Sequence, residues 1–218
     1  MSTTEQDRTD GATAAFSEAV KAASWEVHEH AEHSRYMQDL MAGRLDRAAY
    51  ARLVAQQYFA YRDLEAASQR MADDPIGSRF VFPELYRLPA LHADLDALLG
   101  RGWRSSIEPT PATAAYCGRL RDVAATDPGA YVAHHYVRYM GDLSGGQVIR
   151  RVVERTYDIA DHAGTSFYVF DRVDPKAFKQ QYRLRLDATP WTEPEKARII
   201  DEVLLAYRLN TDVLAELA

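Results

Sequence analysis

Apolar residues recur at intervals of three and four along most of the chain, which is the spacing of amphipathic α-helices. A first helix is predicted from Phe16 through about His33, and a short second helix over residues 36–41. The same spacing returns in segments that begin near residues 47, 91, 112, 128, 175 and 193. No segment alternates convincingly with the two-residue period of a strand. The pattern therefore predicts an all-α protein.

Helix-start signals mark several of these boundaries. Asp127 and Asp174 each precede a proline, and an acidic N-cap followed by proline at the first helical position is typical of a helix start. Thr192 with Glu195 three residues later has the spacing of a capping box. Residues 161–171 read as a loop that contains a short extended aromatic piece.

Composition indicates an ordinary globular protein with one domain. The chain has 218 residues, of which 47% are hydrophobic and 27% charged, so it is long enough to bury a full core. The polar start, residues 1–11, predicts a disordered tail, and residues 12–218 form the predicted domain.

Charge and cysteine usage narrow the partners and the compartment. The formal net charge of -6 argues against nucleic acid as a general partner. Cys117 is the only cysteine, so the chain has no intrachain disulfide and no cysteine-rich metal site. No run approaches the roughly 20 apolar residues of a membrane span, and no signal peptide precedes the first helix. We expect a cytoplasmic protein without a membrane anchor.

The most unusual stretch combines three glycines with a carboxylate inside predicted helix. Gly141, Gly145 and Gly146 lie within six residues, and each costs roughly 1 kcal/mol against alanine in a helix interior. Gly141 and Gly145 share one helix face, which they leave bare for a flat, bulky ligand. Asp142 lies between them, with Arg138 one turn earlier on its side. The alternative is a contact between two packed helices through small residues.

Residues 143–147 also spell the signature peptide of ATP-binding-cassette ATPases. That family needs a phosphate loop of the form Gly, four residues, Gly, Lys, Ser or Thr. The sequence contains no such loop, so this interpretation is rejected.

Two further groups of side chains could bind a ligand. Lys21, His28 and Glu32 share a face of the first helix, and a histidine with a carboxylate one turn later can be a metal ligand. Lys179 and Arg183 form a basic pair beside aromatic residues, which suits carboxylates on a flat ligand. The alternatives are a structural histidine and a solvated charged face.

Taken together, these residues resemble the haem oxygenase family over nearly the whole chain after the tail. The matching positions fall in three separated groups with the right order and spacing. They are Glu26, Val27, His28, Ala31, Glu32 and Met37; Tyr136 and residues 138–147; and Phe178, Lys179, Tyr182, Arg183 and Asn210.

The resemblance implies a helical fold in which haem lies between a proximal helix and a glycine-kinked distal helix. His28 falls on the iron ligand and Glu32 on the carboxylate that hydrogen-bonds it. The positions that bind propionates are Lys21, Tyr136, Lys179 and Arg183. The distal contacts are Gly141, Ser144 and Gly145. The distal carboxylate is Asp142, and its polar network matches Tyr61, Arg138, Tyr139 and Asn210.

The resemblance also implies an activity. The family degrades haem to biliverdin, carbon monoxide and ferrous iron, with haem b as both cofactor and substrate and O2 as co-substrate. Electrons would come from a ferredoxin, a flavodoxin or a reductase, and the purpose would be haem catabolism or iron acquisition. Because Lys21, Lys179 and Arg183 are all present, we expect the α isomer, and Asp142 is expected to hold water that delivers protons. We expect a monomer.

Two other functions stay open. A haem carrier or store could bind through His28 without chemistry, and it would not need Asp142. Another enzyme could use the same scaffold, as thiaminase-like and di-iron proteins do. A ferritin-type di-iron site uses Glu-x-x-His pairs, and the sequence contains none.

Overall fold

The computed structural model describes residues 15–218, apart from the side chains of residues 124 and 125. The predicted tail and the first residues of the predicted domain lie outside this range. The α-helices are α1 (Phe16–Glu32), α2 (Arg35–Met41), α3 (Arg47–Arg70), α4 (Leu88–Leu99), α5 (Pro111–Thr126), α6 (Pro128–Tyr157), α7 (Pro175–Asp187) and α8 (Glu193–Leu217). The described chain contains no strand, which confirms the all-α prediction.

The predicted helix starts are made by the expected side chains. Asp127 accepts the backbone N–H of Ala130 at 3.0 Å, and Asp174 caps α7 in the same way at 2.7 Å. Glu195 accepts the backbone N–H of Thr192 at 2.7 Å, which completes the predicted capping box. Each cap satisfies a backbone donor that the helix leaves unpaired, and such a cap typically stabilises a protein by about 1 kcal/mol.

The aromatic piece predicted as extended is instead a turn of 3-10 helix, Ser166–Tyr168. Asp94, a buried residue of α4, accepts the backbone N–H groups of Ser166 and Phe167, both at 2.8 Å. One carboxylate that binds two successive N–H groups favours a turn over an extended strand. The prediction was wrong because Asp94 lies about seventy residues away in the sequence.

The helices pack around a core rich in aromatic side chains. α3 packs against α4 and α5, whereas α8 packs against α1, α5 and α6. The largest fully buried side chains are Trp103, Tyr36, Tyr50, Tyr61, Tyr116, Tyr131, Tyr139, Tyr182 and Phe80. No helix in the described range is long and apolar enough to cross a membrane.

An ion-pair network around the buried residues His134 and Glu202 joins α5, α6 and α8. His134 lies 2.8 Å from Glu202 through its Nε2 atom, and Arg119 donates to both oxygens of Glu202 at 2.7 and 2.5 Å. Burial acts to raise the pKa of Glu202, but the hydrogen bonds from His134 and Arg119 outweigh it and lower that pKa to about 2. The carboxylate therefore stays ionised inside the helix junction.

The next residue, His135, is buried without a charged partner. Its Nδ1 atom lies 3.2 Å from the Tyr182 hydroxyl, and its ring packs against Tyr139 at 4.5 Å. Burial lowers its pKa to about 3. The imidazole is therefore neutral in the folded protein.

We predict that His135 makes the fold less stable in mild acid. A histidine whose pKa is lower in the folded than in the unfolded state contributes full stability above the unfolded value, about 6.5, and loses it as the pH falls towards the folded value. Between pH 8 and pH 5 this loss amounts to about 2 kcal/mol. Urea unfolding at the two pH values measures it.

The variant His135→Gln cannot titrate, so its loss between pH 8 and pH 5 should be smaller than that of the parent by about 2 kcal/mol. His30→Gln, at an exposed position of α1, is the control and should match the parent. An equal loss in the parent and in His135→Gln would contradict the prediction.

Candidate functional site

A cavity of about 380 Å³ opens between α1, α6 and α8, with α2, α3 and the 3-10 turn at its edges. This volume lies within the usual range of small-molecule sites. Eight predicted site residues line it: His28, Glu32, Arg138, Gly141, Asp142, Ser144, Gly145 and Asn210. The structure therefore brings these eight predicted residues together around one cavity.

The glycines of α6 divide into two kinds. A Cβ atom added to Gly141 or Gly145 would meet no atom within 4 Å, whereas one added to Gly146 would lie 3.0 Å from the Tyr168 ring. Gly141 and Gly145 therefore leave a bare helix face towards open space, and Gly146 allows a side chain to pack closely. The observed spacing favours a ligand-facing surface over a contact between two helices.

Asp142 is held at one end of a polar network. The Tyr61 hydroxyl donates to Oδ2 of Asp142, and Arg138 donates to Asn210 and to Gln57. Burial raises the pKa of Asp142 to about 6, although the Arg138 charge and the Tyr61 hydrogen bond act to lower it. A carboxyl group with this pKa can take up and release a proton near neutral pH.

Tyr139 lies outside the cavity, behind Tyr61. The two rings meet edge to face, with centroids 5.5 Å apart and planes at 75°. The Tyr139 hydroxyl is buried without a hydrogen-bond partner in the described part of the chain. Tyr139 thus supports the position of the Tyr61 ring and does not contact Asp142 directly.

His28 reaches the same cavity from α1. Its Nε2 atom lies 3.6 Å from Glu32 Oε1, and its Nδ1 atom is buried with no hydrogen-bond partner among residues 15–218. These residues contain no group of three or more His, Cys, Asp or Glu side chains that could hold a metal ion. A single imidazole therefore suits a metal that arrives already chelated by its own ligand.

The predicted basic residues Lys21, Lys179 and Arg183 do not line the cavity. Lys179 donates to the Ser144 hydroxyl at 3.0 Å, which ties α7 to the glycine stretch of α6. Burial and the charge of Arg183 lower the pKa of Lys179. Tyr136 is buried beside Tyr182, and Lys21 is exposed on α1.

Sequence reasoning missed several residues that shape the cavity. Gln57 accepts a hydrogen bond from Arg138, and Phe167 and Tyr168 also line the cavity. An isolated glutamine on a long helix carries no signal of this contact. The sequence marked the segment of Phe167 and Tyr168 as aromatic. Only the turn that Asp94 holds places these two side chains at the cavity.

The fold and the site define an all-α protein whose cavity suits a flat ligand that carries its own metal. The family model described as Heme oxygenase matches residues 14–216. Heme oxygenase 1 of Rattus norvegicus is 36% identical over 216 residues, which cover 98% of this chain and 75% of the relative. Heme oxygenase 1 of Synechocystis sp. is 38% identical, with 87% of this chain and 79% of the relative covered.

Solved structures give the same result. Heme oxygenase-1 from Synechocystis sp. in complex with heme superposes with a TM-score of 0.88 at 35% identity, over 93% of this chain and 91% of that one. Heme oxygenase from Leptospira interrogans has a TM-score of 0.88 at 34% identity, over 93% and 99%. The chain therefore belongs to the haem oxygenase family. It is an oxidoreductase of that family.

We predict unequal effects of alanine at the two kinds of glycine in the ligand-free protein. Gly145→Ala should raise the free energy of unfolding by about 0.5–1 kcal/mol, since the added methyl group meets open space and the helix loses a flexible residue. Gly146→Ala should gain less or lose stability, because its methyl group presses on Tyr168. Urea titrations of both variants and the parent measure the difference, and equal gains would refute it.

Proposed function

We propose that this chain cleaves haem b oxidatively to biliverdin, carbon monoxide and ferrous iron. Haem would be both substrate and cofactor, O2 the co-substrate, and a ferredoxin, flavodoxin or reductase the electron donor. The observation that carries the proposal is one cavity that joins an imidazole, a bare glycine face and a carboxyl group of pKa about 6.

The residues present fit haem. His28, which lines the cavity, would bind the iron through its imidazole, and Gly141 and Gly145 would contact the opposite face of the ring across their open surface. Ser144 would lie beside them. The propionates would be bound by the basic and phenolic groups of Lys21, Tyr136, Lys179 and Arg183. Bound haem supplies the iron that activates dioxygen and the ring carbon that is oxidised.

The chain's own residues would leave room beside the haem ring and deliver protons to the cavity. Because Gly141 and Gly145 carry no side chain, room remains on the side of the ring that faces α6. Tyr61 occupies Oδ2 of Asp142, which leaves Oδ1 to hold a water molecule that passes protons into the cavity. Arg138 orients Asn210 through a hydrogen bond. Its charge also acts against burial and lowers the pKa of Asp142.

The basic residues would fix how the ring is rotated in its plane. Lys179 and Arg183 lie on α7, whereas Lys21 lies on α1. Because the charges come from two helices, together they would define one orientation of the two propionates. The hydrogen bond from Lys179 to Ser144 ties this orientation to α6. We propose the α isomer of biliverdin on this basis. The expectations of a monomer and of a cytoplasmic location stay predictions.

We predict that His28→Ala weakens haem binding and abolishes turnover, and that added imidazole restores turnover, because a free imidazole can fill the space left by the side chain. Haem binding is followed by the Soret band, and turnover by biliverdin absorption with ascorbate or a ferredoxin and its reductase under air. His33→Ala, at an exposed position of α1's end, is the control. An unchanged Soret band and rate in His28→Ala would remove His28 as the ligand.

We predict that Asp142→Asn still binds haem but forms biliverdin about 100- to 10,000-fold more slowly, the usual contribution of a positioned proton donor. The amide keeps the shape of the carboxyl group and cannot exchange the proton. Asp122→Asn, at an exposed position of α5, should match the parent.

The same assay separates the enzyme from the haem carrier. A carrier would keep a stable haem spectrum in the parent itself, under conditions in which a known family member degrades haem. Equal biliverdin yields from the parent and Asp142→Asn would instead leave the activity intact and remove Asp142 from the mechanism.

A further inference from the structure

The imidazole of His28 lies between two aromatic rings from different helices. Trp25, one turn earlier on α1, is stacked on it, with ring centroids 6.1 Å apart and planes at 18°. Tyr207 on α8 approaches edge-on, at 5.9 Å and 80°. Both distances fall within the range of favourable aromatic contacts. The two rings approach at different angles, so together they restrict rotation of the imidazole about its side-chain bond.

Glu32 cannot restrict this rotation to the same extent. Its carboxylate is 61% exposed and lies 3.6 Å from His28 Nε2, beyond the usual range of an N–H···O hydrogen bond. In metal sites the second nitrogen of a ligating histidine is normally hydrogen-bonded, and that bond fixes the ring orientation. The aromatic contacts leave less freedom than the carboxylate does, because the Tyr207 ring on α8 is partly buried and packs against the core.

Trp25 itself has no packing role that explains its position. Its side chain is 53% exposed, and it does not line the cavity. A single exposed apolar residue is common and needs no special explanation. What distinguishes Trp25 is its near-parallel stack on His28. Residues at positions i and i+3 of a helix lie on the same surface, so the two side chains can meet.

We propose that Trp25 is a positioning residue for His28. The indole, stacked on the imidazole, sets the orientation in which that ring meets the ligand. The inference rests on the proposed function, in which His28 binds the haem iron. Trp25 would act only through His28, without contact to haem.

The test compares two substitutions at Trp25. Trp25→Leu removes the stacked ring, whereas Trp25→Phe keeps an aromatic face in the same place. Leu99→Ala on α4 is the control, because Leu99 is also an exposed apolar residue on an element that does not line the cavity. The measurements are the iron–imidazole stretching band of the ferrous haem complex, by resonance Raman spectroscopy, and the rate of haem dissociation.

In Trp25→Leu we expect a shifted or broadened iron–imidazole band and haem dissociation that is about tenfold faster, the lower end of the effect of losing a residue that orients a metal ligand. Trp25→Phe should restore both values, and Leu99→Ala should match the parent. A merely structural role would not move the iron–imidazole band. An unchanged band and rate in Trp25→Leu would overturn the proposal.

A second readout needs no haem and separates this proposal from the function. In the haem-free protein, nuclear Overhauser contacts between the ring protons of His28 and Tyr207 report the orientation of the imidazole. They should weaken in Trp25→Leu and persist in Trp25→Phe. Persistence in both variants overturns the positioning role. Failure of His28→Ala to change the haem spectrum would count against the proposed ligand instead, and this readout would still decide the role of Trp25.

Discussion

The buried charge of Arg138 is the constraint on which the site depends. Its side chain is 8% exposed, and a buried cation is costly unless its donors are satisfied. Gln57 on α3 and Asn210 on α8 accept its hydrogen bonds, and the Tyr61 ring lies 4.8 Å from the guanidinium carbon. Three helices must therefore meet at one place to satisfy one side chain. Their meeting fixes the inner wall of the cavity.

α6 can carry the glycines that destabilise a helix because its first half is firmly buried. From Gly129 to Met140 every side of the helix faces the core, and Asp127 caps its first turn. Beyond Met140 the bare glycine face opens towards the cavity. Natural proteins accept such local losses of stability at functional sites when neighbouring structure compensates for them. In this helix the compensation comes from the preceding three turns.

Features set by local sequence were predictable, and features set by distant contacts were not. The caps at Asp127 and Asp174 and the bare face of Gly141 and Gly145 follow from spacing along single helices. The hydrogen bond from Tyr61 to Asp142 joins residues 81 positions apart, and only the family resemblance suggested it. The stack of Trp25 on His28 lay within one turn of helix, but spacing alone does not reveal which neighbours touch.

The two halves of the cavity are coupled through a single face of α8. Tyr207 contacts the His28 ring, and Asn210, three residues later, accepts a hydrogen bond from Arg138. Residues three apart lie on the same side of a helix, so α8 sets the separation between the imidazole on α1 and the polar network of Asp142. α1 packs against α8 and is tied to the end of α7 through Ser17 and Asp187, at 2.7 and 2.9 Å. A shift of α8 would therefore move both sides of the cavity together, which preserves the spacing that a flat ligand between them requires.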